Sequence, residues 1–268
     1  MNTTFGFIGA GNMGGALAQA AAKAMAPDAI TLADQCAEKA AALAARLGCG
    51  QATATAVAQN CGYIFLGVKP QVMGTLLSEI APVLKSRSDS FVLVSMAAGV
   101  SIGDISRMAG GDYPVIRIMP NIPVSVGGGV ILYDVTENVS EAAIELFCQN
   151  MRYAGLLDRL PEKLIDAGSA LSGCGPAFAS MFIEALADGA VACGLPRDKA
   201  VAYAAQTLAG TAQMLLQSGQ HPGALKDAVC SPGGSTIAGV GALEQNGFRA
   251  GAMDAVVCAY ERTLELGK

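Results

Sequence analysis

Two patterns of apolar positions divide this 268-residue chain. In the first half, short apolar runs alternate with Ala- and Leu-rich stretches at helical spacing. The runs predict strands over 4–8, 30–33, 63–68, 91–95, 115–119, 129–133 and 155–158. The stretches between them predict helices over 13–24, 37–47, 72–84, 102–109 and 140–150. Repeated βα units imply a mostly parallel, doubly wound sheet, in which ligands collect at the carboxyl ends of the strands. That rule draws attention to Val68, Lys69 and Pro70, to Met96, Ala97 and Ala98, and to Asn121.

From about Glu162 the alternation stops. Helices are expected over 176–193, 198–218, 223–229, 235–246 and 248–266. The first carries only Glu184 and Asp188 as charges, and no Asp, Glu, Lys or Arg lies between Lys199 and Lys226. A helix apolar almost all round must be covered on more than one face. A domain of about 110 residues has too little interior to cover two such helices. A second copy of the chain is the simplest cover, giving an intertwined homodimer or an oligomer of dimers. The expected domains are 1–160, an α/β unit with a mostly parallel sheet, and 161–268, an all-α dimerisation unit.

Composition narrows the partners. The chain is 52% hydrophobic and 15% charged, with a formal net charge of −5 and no cluster of Lys or Arg. This argues against nucleic acid. The longest charge-free stretches are broken by Gly, Asn or Pro, so no membrane span is expected, and the N-terminus lacks the regions of a signal peptide. The 8 cysteines form no CxxC pair and His221 is the sole histidine, which leaves no zinc spacing and no local Cys/His pair. Reduced cysteines serving as small apolar residues point to the cytoplasm.

Two segments carry chemistry. After the first apolar run comes Gly9-Ala10-Gly11-Asn12-Met13-Gly14, followed by a helical pattern. Gly9 permits a tight strand-to-helix turn, Gly11 lets backbone approach phosphate oxygens, and Gly14 lets the helix pack close to the strand. The helix start offers free N–H groups and a positive dipole end, so a dinucleotide pyrophosphate belongs here, on a Rossmann unit. The second segment, Cys230-Ser231-Pro232-Gly233-Gly234-Ser235-Thr236-Ile237, turns through two glycines into a new helix start beside two hydroxyls. By itself this is either a receptor for a small carboxylate or an ordinary capped loop.

With these segments in view, the chain resembles the pyrroline-5-carboxylate reductases. The matching stretches are the nucleotide loop, Gly67-Val68-Lys69-Pro70, Ala97-Ala98-Gly99-Val100, Met119-Pro120-Asn121, Leu171-Ser172-Gly173-Cys174-Gly175-Pro176-Ala177 and Gly194-Leu195-Pro196-Arg197. The run from His221-Pro222-Gly223 through Ser231–Ile237 to Gly247-Phe248-Arg249 completes them. They span nearly the whole chain in order, and the Ser-Pro-Gly-Gly-x-Thr-Ile run is highly specific to that family. The resemblance implies reduction of L-1-pyrroline-5-carboxylate to L-proline by NAD(P)H. It implies that the Gly233–Thr236 turn holds the substrate carboxylate through the Ser235 and Thr236 amides. The Thr236 hydroxyl would act in catalysis, hydrogen-bonding the ring nitrogen and relaying its proton, and Glu162 would act as a polar anchor near the substrate. Lys69 and Asn121 would line the nicotinamide end. No metal is implied. Substrate is expected between the domains and near the dimer seam.

Cofactor choice is where the chain departs from the family. Asp34 lies about 20 positions after Gly14, where an acid accepts hydrogen bonds from a ribose 2′-hydroxyl and favours NAD. The family generally prefers NADPH. The expectation is therefore NADP, with NADH used comparably. Two rival functions stay open: a β-hydroxyacid dehydrogenase-like oxidoreductase, which would want a Lys base soon after Gly175 where the chain has Pro176-Ala177-Phe178, and an NAD(P)-binding regulator without turnover.

Overall fold

The computed structural model describes residues 3–266. The chain separates into two compact units. One runs through Gly173 and takes in the segment from Tyr260; the other is Cys174–Ala259.

The first unit holds β1 (Phe5–Ile8), α1 (Asn12–Ala21), β2 (Ile30–Ala33), α2 (Ala37–Leu47), β3 (Gly50–Gln51), α3 (Ala54–Asn60), β4 (Tyr63–Leu66), α4 (Pro70–Ser86) and β5 (Val92–Ser95). It continues with α5 (Ile102–Ala109), β6 (Val115–Pro120), β7 (Gly129–Val135), α6 (Glu141–Met151), β8 (Gly155–Arg159) and α7 (Glu162–Ser172). The strands form one sheet in the order β3-β2-β1-β4-β5-β6-β7-β8. Pairing is parallel except between β6 and β7. The expected mostly parallel sheet is therefore present. The exception follows from Pro120-Asn121-Ile122-Pro123, which leads into a 3₁₀ turn over Ile122–Val126 and sends the chain back beside β6.

Successive strand residues point to opposite faces, and both faces are covered. Phe5, Phe7, Tyr63, Phe65, Val92 and Val94 form one core with α1, α2 and α6. Ile8, Ile64, Leu66 and Leu93 form another with α3, α4 and α5. Phe7 and Phe65 stack with ring centroids 4.2 Å apart. Tyr63 donates its hydroxyl to the Ala143 carbonyl at 2.7 Å, and burial pushes its pKa up to about 12.

The sequence pattern did not predict β3, α3 or α7. A two-residue strand has no period to read. Helix α3 is one short amphipathic turn pair begun by Thr53, whose hydroxyl accepts from Ala56 N at 3.2 Å. Helix α7 packs Ile165 against Met119 and Leu132 of the sheet.

The second unit consists of α8 (Gly175–Ala192), α9 (Arg197–Ser218), α10 (Pro222–Ala228), α11 (Ser235–Gln245) and most of α12 (Phe248–Leu266). Helix α8 packs along α9, and Phe182 meets Phe248 with ring centroids 5.2 Å apart. The stretch Glu162–Ala192 is long and apolar enough to cross a membrane by length and composition. It is two helices, broken at Gly173-Cys174.

Candidate active site

Strand pairing sets Ile8, Ala33, Leu66 and Ser95 level with one another at the carboxyl edge of the sheet. The β1–α1, β2–α2, β4–α4 and β5–α5 connections therefore leave from one line. The three glycines of the first loop differ in surroundings. Gly9 has φ +112°, and a Cβ there would sit 2.2 Å from the Gly67 carbonyl oxygen. A Cβ on Gly14 would sit 2.0 Å from the Gly9 oxygen. A Cβ on Gly11 would meet nothing within 4 Å. Gly9 and Gly14 are thus required by packing, whereas Gly11 fronts open space. That space is a cavity of about 700 Å³ lined by Ala10, Gly11, Asn12 and Met13, by Gln19 of α1, and by Lys39 and Arg46 of α2. Gly11 caps α1 without a side-chain hydrogen bond, and the first closed turn is Gly15 N to Gly11 O at 2.7 Å. The amides before it have no intrahelical acceptor and are available to an anion. A dinucleotide pyrophosphate fits this cradle.

Asp34 is engaged by the protein itself. Ala10 N donates to its Oδ2 at 2.7 Å and Cys36 N to its Oδ1 at 2.9 Å. The carboxylate therefore braces the glycine loop. Lys69 is exposed at the start of α4, where Pro70 occupies the first helical position. Val68 is half-buried in the same connection. Met96 and Ala97 turn inward after β5, and Ala98 is exposed. Asn121 is buried and committed at both ends: its Nδ2 donates to the Ser172 carbonyl at 2.8 Å, and its Oδ1 accepts from Val130 N at 2.8 Å. Glu162 accepts on one oxygen from Arg117 Nη1 at 2.9 Å and from Ile102 N at 2.8 Å.

The late loop lies in the second unit. Gly234 N donates to the Ser231 carbonyl at 3.0 Å, and Gly233 takes φ +68°, a conformation that favours glycine. A Cβ on Gly234 would sit 2.4 Å from Ser231 Oγ and 3.1 Å from the Ser231 carbonyl oxygen, so a side chain there would force the Ser231 hydroxyl to move. Gly234 caps α11 without a side-chain hydrogen bond, and Ser235 and Thr236 are exposed at the helix start. The first turn closes only at Ala238 N to Gly234 O, 3.3 Å. The loop thus presents unpaired amides and two exposed hydroxyls at one helix start.

Residues 162–266 match the family pattern described as pyrroline-5-carboxylate reductase dimerisation, and residues 4–99 match that of coenzyme F420-dependent NADP oxidoreductases. The chain is 40% identical over 271 residues to a pyrroline-5-carboxylate reductase of Escherichia coli strain K12, each protein being covered in full. The chain belongs to the pyrroline-5-carboxylate reductase family. Its fold matches a Coxiella burnetii pyrroline-5-carboxylate reductase with a TM-score of 0.92, over 100% of both chains at 29% identity. It matches the Plasmodium falciparum pyrroline carboxylate reductase with NADP bound at a TM-score of 0.86 and 32% identity, covering 99% of this chain and 98% of that one.

Among the described residues no cluster of His, Cys, Asp and Glu could hold a metal ion. Arg46 and Arg117, near the expected cofactor positions, were not picked out from sequence; Lys39 was read there only as a charge one helical turn past Cys36. Lys39 and Arg46 stand seven positions apart on one face of α2, a spacing that was legible. Arg117 sits inside the apolar run Val115–Pro120, and a lone charge in a buried strand is itself a signal.

Proposed function

We propose that the chain performs its family's reaction by holding two anionic reactants on two amide-rich helix starts. It reduces L-1-pyrroline-5-carboxylate to L-proline, the last step of proline biosynthesis, with NAD(P)H as coenzyme. The observation that carries this assignment is the chain's treatment of its helix starts. Helices α3, α5 and α6 begin with Thr53, Ser101 and Ser140, each accepting a backbone hydrogen bond. Helices α1 and α11 share the lack of a side-chain cap with α2, α4, α7, α8 and α9, but they begin on glycines, Gly11 and Gly234, so no N-cap side chain stands between their amides and a ligand.

The loop Gly9–Gly14 receives the pyrophosphate, with the Asn12 and Met13 amides on its oxygens. When bound, the coenzyme supplies a hydride to the ring carbon of the protonated C=N bond, and the former imine nitrogen keeps its proton. Gly233 and Gly234 strip side chains from the late turn so that the Ser235 and Thr236 amides can hold the substrate carboxylate. The Thr236 hydroxyl hydrogen-bonds the ring nitrogen. An iminium carbon is a strong electrophile, so positioning and electrostatics carry the rate without a separate acid–base dyad. Val68, Lys69, Pro70, Met96, Ala97 and Ala98 flank the nicotinamide end. Lys39 and Arg46 give a 2′-phosphate positive partners, while Asp34 braces the loop rather than reading the ribose alone.

Residues 162–266 support assembly into a homodimer, and the eight free cysteines suit a reducing, cytoplasmic setting.

Mixing the purified protein with pyrroline-5-carboxylate and either NADPH or NADH, and following the reduced nicotinamide by absorbance, tests the assignment. Turnover of the imine with a higher kcat/KM for NADPH is expected. Coenzyme binding without turnover would instead mark a regulator. In Thr236→Ala, turnover should fall by about two orders of magnitude with coenzyme binding intact; unchanged kinetics would remove Thr236 from the mechanism.

A further inference from the structure

One buried ion pair touches the loop on which the nicotinamide assignment depends. Arg117 lies on β6, directly opposite Ser95, the last residue of β5. Its side chain is 5% exposed. Nη1 donates to Glu162 Oε1 at 2.9 Å and Nη2 to Asp166 Oδ1 at 3.3 Å, while Nε is buried without a partner. Glu162 and Asp166 are one turn apart on α7, so one face of that helix presents two carboxylates to one guanidinium. The same Glu162 Oε1 accepts the Ile102 amide at 2.8 Å. Ile102 is the first residue of α5, at the end of the connection that carries Met96, Ala97 and Ala98. A carboxylate at a helix start also meets the positive end of the helix dipole. Glu162 N in turn donates to Asp134 Oδ2 on β7 at 2.6 Å. A single oxygen atom thus joins β6, α7 and the start of α5.

A buried guanidinium left without its carboxylate is strongly unfavourable, so the pair has little freedom to separate. Everything attached to it inherits that fixity. The upstream end of the β5–α5 connection is fixed by the sheet. Its downstream end is fixed by Glu162 and by the Ser101–Asp104 capping box. Between the two ends, the loop is tied by two long bonds, Val100 N to Ala97 O at 3.4 Å and Ala97 N to Ser95 Oγ at 3.5 Å.

We propose that Arg117 and Glu162 are positioning residues for the nicotinamide end of the coenzyme, acting through the Ile102 amide to hold the Met96–Ala98 loop. This rests on the assignment of that loop to the coenzyme. Glu162 then shapes the coenzyme's wall and does not bind the imino acid.

The experiment compares Glu162→Ala, Glu162→Gln and Arg117→Met in the full-length enzyme. It measures coenzyme Kd by nicotinamide fluorescence, kcat, both KM values, and hydrogen–deuterium exchange over residues 96–104 without coenzyme. Glu162→Ala should weaken NADPH binding by roughly tenfold and lower kcat, leave the imino-acid KM within about threefold, and speed exchange in the loop. Glu162→Gln keeps an oxygen acceptor for Ile102 N and should restore most of the coenzyme affinity. Arg117→Met should resemble Glu162→Ala; if it does not fold, the two Glu162 variants decide the matter. A Glu162→Ala enzyme that raises only the imino-acid KM, or changes only thermal stability, overturns the proposal. Ala98→Leu separates the two layers: unchanged NADPH affinity there would mean the loop does not touch coenzyme, whatever Glu162 does.

Discussion

The two units are built from similar residues and end in different states of completion. In the sheet unit, Phe5, Phe7, Tyr63, Phe65, Leu66 and Phe147 are fully enclosed, with helices on both faces. In Cys174–Ala259, the buried hydrophobic residues among those described are Ala187, Ala200 and Ala204. Met181 is 69% exposed, Met214 56% and Leu216 82%. A sheet offers two flat faces that its own crossover helices can cover. Helices that are apolar nearly all round leave part of their surface uncovered unless another layer arrives. The sheet unit is a finished core, and the helical unit is a portion of one.

The comparison breaks most readily at the exposed faces. Met181→Glu combined with Met214→Glu should weaken self-association by about 3–5 kcal/mol, more than a hundredfold in Kd, by burying unpaired charges. Sedimentation should show monomers and activity should be lost with them; unchanged mass would mean that these side chains face solvent in the assembly. Next in size is a cavity in the finished core. Phe65→Ala should lower thermal stability by about 3–5 kcal/mol without changing subunit mass at a temperature where the variant is folded. The glycine loop sharpens the contrast between packing and binding. Gly14→Ala drives a Cβ into the Gly9 carbonyl and should cost about 1–3 kcal/mol of stability as well as coenzyme affinity. Gly11→Ala meets no protein atom within 4 Å, so its melting temperature should match the parent while coenzyme Kd rises.

The smallest effect concerns acid. The Ser101 hydroxyl beside Asp104 holds its carboxyl below the usual value of 3.8. A group depressed on folding stabilises fully above its unfolded pKa and loses that contribution as pH falls through the lower, folded value. Asp104→Asn should therefore flatten the fall of melting temperature below about pH 4, by a small amount because the half-buried group is still screened by solvent.

Much of this was legible in the chain, for identifiable reasons. The strands of the sheet are continuous apolar runs, and the Gly9–Gly14 loop has a fixed spacing imposed by phosphate and backbone geometry. The late turn by itself read equally as an ordinary capped loop, and only the resemblance of its Ser-Pro-Gly-Gly-x-Thr-Ile run to the family gave it a role. What escaped were facts set by distant partners. The reversal of β7 depends on which strand it finds. Helix α7 reads as part of the helical half until Ile165 is seen against Met119 and Leu132. The bonds from the Ala10 and Cys36 amides to Asp34 were not visible in the sequence either, where Asp34 read as a ribose ligand. The hydrogen bonds of Asn121 and Glu162 to segments 51 and 60 positions away could likewise not be read from local sequence.

The most direct test is a crystal structure of the enzyme with NADP⁺ and a proline analogue bound together. The pyrophosphate should accept hydrogen bonds from the Asn12 and Met13 amides, and the analogue's carboxylate should sit on the Ser235 and Thr236 amides with its ring nitrogen at the Thr236 hydroxyl. A carboxylate bound elsewhere, with the Gly233-Gly234 turn empty, would contradict the account.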